Sequence, residues 1–173
     1  MSRVLLADDG PHAQRMGAQI LQAEGHEVLV VADGLAAMLK LDEADPDLIL
    51  ADVGLPHRDG YQVCEFAKKH PAFPHTRVLL TASITRSIDL TAAQRVRADG
   101  VLTKPFEASV VLAAAQPLLE AAQKDRSRTQ FAHLKPATVD PDRVREAVAL
   151  VLEAALPRLT DDVPRRVLSV LGR

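Results

Sequence analysis

Short apolar runs without polar alternation recur along the first part of the chain: Arg3–Ala7, Glu27–Val31, Leu48–Asp52, Thr76–Thr81 and Val101–Thr103. A run of this kind predicts a strand buried on both faces, as parallel strands are. Between the runs, apolar positions fall at helical spacing. Met16, Ile20 and Leu21, with Ala13 and Gly17, mark a helix from Pro11 that Gly25 stops. Leu35, Met38, Leu39 and Leu41 mark a second, ended by Asp45-Pro46-Asp47. Val63, Phe66 and Ala67 share a face of a third, which follows Asp59-Gly60 and closes at His70-Pro71. A polar helix is predicted over roughly Arg86 to Arg97. The last runs from about Glu107 to Ala122, with Val110, Val111, Ala114, Leu118 and Leu119 inward and a kink at Pro117. Strands and helices in strict alternation predict an α/β fold, a doubly wound parallel sheet with right-handed crossovers.

The pattern then changes. Residues 123–139 are polar and basic, with few large apolar groups, and predict a linker between a first domain at 1–122 and a tail at 140–173. Asp140-Pro141 reads as an N-cap followed by proline at the first helical position. Val144, Val148, Val151, Leu152 and Leu156 form one stripe, and Val163, Val167, Leu168 and Leu171 another. Two such short helices cannot fold alone, so they are expected to dock on the main domain, on each other or on a second copy as a homodimer, and to serve self-association or partner docking.

Composition adds limits. The 173 residues are 47% hydrophobic and 25% charged, with net charge −2, which gives no strong attraction to nucleic acid or anionic membrane. Residues 1–122 carry 11 basic against 16 acidic side chains, and 123–173 carry 10 against 7. The tail's +3 reads as a solvated helical surface rather than a nucleic-acid patch. Cys64 is the single cysteine, at a core position of its helix. An internal disulfide is therefore excluded, which suits a reducing cytoplasm. The six histidines lack ligand spacing and read as surface residues. No signal peptide and no apolar run near the roughly 18 residues of a membrane span are visible, so the expected location is cytoplasmic.

The chemistry gathers where strands end. Asp8-Asp9, Asp52, Thr81 and Lys104-Pro105 each close a predicted strand. In a parallel sheet those C-terminal ends share one edge, where open α/β folds build their sites. Three carboxylates in a shallow cleft repel one another, and a divalent cation removes that penalty. All-oxygen ligands with room for water suit Mg²⁺. Lys104 supplies a point charge and Thr81 a hydroxyl for the oxygens of a phosphoryl group. Asp52, mid-site, reads as a nucleophile that forms an acyl phosphate, since phosphoryl transfer needs little beyond positioning and charge neutralisation. Taken singly, Asp8-Asp9 reads as a capping pair and Asp52 as a turn residue. Their joint occurrence with Thr81 and Lys104 favours the site.

Val4 to Asp9, Pro46 to Asp52, Leu55-Pro56, Asp59-Gly60, Leu80-Thr81-Ala82 and Asp99 to Phe106 stand in order and at the spacings of a known family. The chain from residue 1 to about 122 resembles the receiver (CheY-like) domain of two-component response regulators. The resemblance implies a flavodoxin-like five-stranded sheet of order 2-1-3-4-5. It implies Mg²⁺ held by Asp9 and Asp52, by Asp8 directly or through water, and by the backbone carbonyl of Gly54. It further implies a sensor histidine kinase as phosphoryl donor to Asp52, and a Thr81 that swings toward the phosphate. The sequence departs from the family pattern at four places. Val101 stands where the fifth strand usually carries Tyr or Phe. Arg97 stands where the preceding helix usually ends in Gly. The segment from Thr81 to Lys104 is one residue longer, and Gly10 follows the acid pair. Gly54, two residues after the nucleophile, has no side chain to shield a phosphate, which predicts a fairly open site and a phosphate that does not last many hours.

The expected function is thus a phosphoacceptor signalling protein, not an enzyme acting on a separate substrate, that works through contacts with a downstream protein target. The competing reading is a non-switching pseudo-receiver scaffold whose tail mediates assembly, motivated by Val101. An aspartyl phosphatase would place a second acid at Gly54, and a flavin protein would carry a Ser/Thr/Gly phosphate loop after the first strand; neither is present. The tail lacks helix-turn-helix cues and enzymatic motifs, so neither nucleic acid nor membrane is expected as partner.

Overall fold

A computed structural model describes residues 1–105 and 107–132, the last three by backbone alone. All but the final residue of this stretch fall in one compact unit, Met1–Phe131. The predicted 140–173 helices and residues 133–139 of the predicted linker lie outside the described residues.

The strands are β1 (Arg3–Ala7), β2 (Glu27–Val31), β3 (Leu48–Asp52), β4 (Arg77–Ala82) and β5 (Gly100–Thr103). The helices are α1 (Pro11–Ala23), α2 (Gly34–Leu39), α3 (Leu41–Ala44), α4 (Gly60–Lys69), α5 (Leu90–Arg95) and α6 (Ala108–Ala132). The sheet is wholly parallel, in the order β2-β1-β3-β4-β5, the flavodoxin-like order expected.

Strand geometry divides the core in two, because successive side chains leave opposite faces of a sheet. Leu5, Ala7, Ile49, Ala51, Val78 and Leu80 pack with Val63, Cys64 and Ala67 of α4. Val4, Leu6, Leu48, Leu50 and Leu79 pack with Leu21 of α1 and Val111, Ala115 and Leu119 of α6. β3 is buried along its whole length, which explains its unbroken apolar run: both faces need apolar cover. Gly25, at φ +81°, closes α1 in a Schellman motif. Its N–H donates to the Gln22 carbonyl at 2.9 Å, and the His26 N–H donates to the Leu21 carbonyl at 3.2 Å.

Several elements differ from the sequence expectation. The predicted second helix is interrupted at Lys40, giving α2 and α3. On α4 the inward row is Val63, Cys64 and Ala67, while Phe66 is 41% exposed; its ring instead lies beside His70, 5.6 Å between centroids. The predicted helix over Arg86–Arg97 begins only at Leu90. Asp89 caps it, its carboxylate accepting from the Ala92 N–H at 3.0 Å, so the residues before it remain as loop above the strand ends. His75 is not at the surface. It is 5% exposed, with Nε2 3.3 Å from Asp45 Oδ1, out of line for a hydrogen bond. Burial, and secondarily the nearby Arg126 charge, holds its pKa below the ordinary histidine value.

The largest difference is in α6, which passes Ala122, the predicted end, and continues to Ala132. Its polar residues there have partners far away in sequence. Arg126 bonds the carboxylates of Asp45 and Asp47 and the Asp45 carbonyl at 2.7 Å. Asp125 pairs with Arg77, and Gln123 donates to the Ser2 hydroxyl at 2.6 Å. The polarity that suggests a linker is the polarity of a helix face docked by ion pairs at the N-terminal edge of the sheet. Asp45, held left-handed at φ +36°, has its pKa lowered. Burial works upward, but the hydrogen bonds and charges of Arg126 and Arg3 outweigh it.

Candidate functional site

The register of the sheet brings the strand ends together. Ala7 pairs with Ala51 and Asp52 with Thr81, so Asp8, Asp52 and Thr81 emerge at one edge on neighbouring strands. Ala82 pairs with Thr103, and the next N–H, of Lys104, donates to the Ala82 carbonyl at 2.7 Å. This keeps Lys104 at the same edge. The Lys104–Pro105 peptide is cis.

Asp8 and Asp52 are nearly closed off from solvent, at 2% and 7% exposure, as is Thr81 at 2%. The Lys104 ammonium bonds both carboxylates, on Asp8 Oδ2 and Asp52 Oδ2. The other oxygens face backbone donors. Gly10 N–H donates to Asp8 Oδ1 at 3.0 Å, and Gly54 N–H to Asp52 Oδ1 at 2.6 Å. Burial alone would lower the Lys104 pKa. The hydrogen bonds and charges of Asp52 and Asp8 overcome it, and the pKa lies above the ordinary lysine value. Lys104 is therefore a firm cation, shared by two acids.

Asp9, one residue past Asp8, is exposed at the rim of this edge. The structure thus gathers Asp8, Asp52, Thr81 and Lys104, with Gly54 against Asp52, and leaves Asp9 outside the buried pair. Among the described residues no three acidic, histidine or cysteine side chains are already arranged around a common metal position; the ammonium sits between the two buried carboxylates. The donor set still fits a hard divalent cation. It is all oxygen, two of the carboxylates adjoin, and the Gly54 carbonyl accepts none of the backbone hydrogen bonds of the described residues.

Two glycines shape the approach to Asp52. A Cβ on Gly60 would lie 2.6 Å from the Asp52 carbonyl oxygen, so the start of α4 can press on the end of β3 only without a side chain. Asp59 and Gln62 close that helix end with a capping box. At Gly54 the expectation of an open site needs correction. A Cβ there would fall 1.8 Å from Arg86 Nη1. The guanidinium of the β4–α5 loop already occupies the space a side chain at residue 54 would take. Sequence reasoning missed Arg86, which it placed at the start of a helix; the loop position appears only because α5 begins at Leu90.

The family follows from this frame together with the sequence match. Residues 4–116 match the response regulator receiver domain. This chain belongs to that family. The receiver is 32% identical over 112 residues to the protein PilG of Pseudomonas aeruginosa, spanning 65% of this chain and 83% of PilG. It is 29% identical to the sensory transduction protein RegX3 of Mycobacterium tuberculosis over 150 residues, 87% of this chain and 65% of RegX3. It is 33% identical to the DNA-binding response regulator MtrA of Mycolicibacterium smegmatis over 111 residues, 64% of this chain and 47% of MtrA. The chain thus spans most of PilG but two thirds or less of the length of the other two. Among solved structures, the fold matches the receiver domain of a sensor histidine kinase from Pseudomonas aeruginosa with a TM-score of 0.62 and 24% identity, over 69% of this chain and 98% of that one. That structure carries a magnesium ion in its active-site cleft. Among the described residues of the receiver, no helix is long and apolar enough to cross a membrane.

Proposed function

We propose that this receiver accepts a phosphoryl group on Asp52 from the phosphohistidine of a sensor histidine kinase and signals through contacts with a downstream protein. The observation that supports the reading best is the environment of Asp52. A carboxylate at the tip of the central strand is almost closed to solvent, oriented by one backbone N–H, and paired with an ammonium shared with Asp8. In this reading an Asp52 carboxylate oxygen attacks phosphorus, the phosphorus–nitrogen bond to the donor histidine breaks with its electron pair returning to the imidazole, and the Lys104 ammonium follows the charge onto the phosphoryl oxygens. The Thr81 hydroxyl, its register partner on β4, donates to another of those oxygens. Asp8, Asp9, Asp52 and the Gly54 carbonyl would hold Mg²⁺. Bound there, the cation neutralises carboxylate and phosphoryl charge.

Output through the segment 123–173, by partner docking or self-association, belongs to the same proposal. Val101 is 41% exposed on β5, and valine has no ring to rotate between buried and exposed positions. A readout by ring rotation is therefore closed at this position. Labelling tests the acceptor. Incubation with a small acyl phosphate and Mg²⁺ should phosphorylate the full chain, and Asp52→Ala should abolish the label. Label that persists in Asp52→Ala would refute Asp52 as the acceptor, and an unlabelled wild type would favour a non-switching scaffold.

A further inference from the structure

The position two residues after the acceptor is Gly54, and the space over it is filled from elsewhere. A side chain built at Gly54 would begin 1.8 Å from Arg86 Nη1, 2.7 Å from Arg86 Cζ and 3.0 Å from Asp52 Oδ1. The guanidinium thus lies in the space that a side chain at residue 54 would take, next to the acceptor carboxylate. Arg86 belongs to the exposed loop between β4 and α5, five residues after Thr81. Among the described residues its guanidinium forms no ion pair with any carboxylate, Asp52 included; Asp52 and Asp8 instead share the Lys104 ammonium. A guanidinium beside the acceptor with its own hydrogen-bond donors uncommitted to a carboxylate has capacity for an anion. A phosphoryl group on Asp52 carries its oxygens out past the carboxylate toward that volume.

We propose that Arg86 is a phosphoryl-contacting residue that stands in for the missing side chain at position 54 and slows hydrolysis of the acyl phosphate on Asp52. The inference rests on Asp52 being the phosphoryl acceptor. In hydrolysis a water oxygen bonds to phosphorus, the bond from phosphorus to the Asp52 oxygen breaks and its electron pair returns to the carboxylate. Inorganic phosphate leaves, keeping the proton shed by the water. The water must approach from the side away from Asp52. A guanidinium there obstructs it sterically and supplies no base, since arginine has five N–H donors and no acceptor with which to deprotonate a water. It also holds phosphoryl oxygens by charge-assisted hydrogen bonds in the bonded state.

The full chain is phosphorylated with acetyl phosphate and Mg²⁺, the donor is removed, and the first-order loss of label is followed. Arg86→Ala should lose label roughly threefold to tenfold faster than wild type, the size expected for one charge-assisted contact at an exposed position. Gly54→Asn places a side chain where the guanidinium lies and moves a flexible, exposed arginine aside. In that background Arg86→Ala should change the rate by less than about 1.5-fold, because the two positions share one volume. Equal decay of wild type and Arg86→Ala, slower decay of Arg86→Ala, or the same factor in both backgrounds would overturn the role of Arg86. A wild type that takes no label, or label that survives Asp52→Ala, overturns the acceptor itself and with it this inference, so the two failures are distinguishable.

Discussion

Replacing Lys104 with methionine tests the electrostatic core of the site. The ammonium is bonded to both Asp8 and Asp52, and the three side chains are 15%, 3% and 9% exposed. Methionine keeps the length of the stem and removes the charge. Two like charges then remain side by side, each with one backbone donor, from Gly10 and from Gly54. Removing one partner of a buried ion pair costs about 3–5 kcal/mol, because the remaining charge is stranded. Here the cleft opens at the sheet edge, and water admitted along the shortened side chain solvates part of the freed carboxylates. The expected loss is therefore about 2–3 kcal/mol in EDTA, below the total stability of a typical domain. Urea unfolding followed by far-UV circular dichroism measures it; the chain has no tryptophan and one tyrosine, so fluorescence reports little. Mg²⁺ should return part of the loss, as any ligand of the native state does. The sign with pH follows from the raised Lys104 pKa. Its stabilisation is fully present below the ordinary lysine value and lost as pH climbs through the raised one. The gap between wild type and variant should thus hold from neutral to mildly alkaline pH and close only beyond. A loss under about 0.5 kcal/mol in EDTA, or a gain, would mean that water already solvates the two acids and would refute the shared-cation account.

Three further outcomes are expected. Arg126→Ala should cost about 1.5–3 kcal/mol in urea unfolding, since it strips charged hydrogen bonds from Asp45 and from Asp47, whose side chain is only 6% exposed. Because the Asp45 pKa is lowered chiefly by Arg126 against the upward pull of burial, its stabilisation is present above the ordinary carboxylate value and lost as pH falls through the lowered one; the variant should lose less stability on acidification than wild type. Arg97→Gly should raise stability by about 0.5–1 kcal/mol, read as a higher melting temperature. Arg97 sits at φ +60° and closes α5 as Gly25 closes α1, and only glycine takes that conformation without steric cost. Cys64, fully buried and pushed up to about 12 chiefly by burial, should react with a thiol reagent near pH 8 roughly a thousandfold more slowly in the native than in the unfolded chain.

Much of the fold was legible because parallel strands covered on both faces must be apolar throughout. The runs at Val4–Ala7, Leu48–Ala51 and Val78–Leu80 leave no other assignment once helical spacing separates them. The short helices were less legible. Arg86–Arg97 contains a turn, a cap at Asp89 and six helical residues, and propensity alone does not separate them. The end of α6 was misread for a different reason. Arg126 finds Asp45 and Asp47 across about 80 residues of sequence, and ion pairing at that separation leaves no periodic trace. His75 was hidden in the same way, since its burial depends on that cluster.

At the site, the sequence by itself determined which groups meet. Acids, a hydroxyl and a lysine at the ends of parallel strands must meet at one edge, whatever the details of packing, because the sheet fixes direction and the strands fix length. Only the tertiary structure decided how they meet. Lys104 stands between Asp8 and Asp52, Asp9 lies outside that pair, and Arg86 reaches from a loop into the space that Gly54 leaves. Those arrangements come from side chains filling volume and balancing charge in three dimensions, and a chain read along one dimension carries neither quantity.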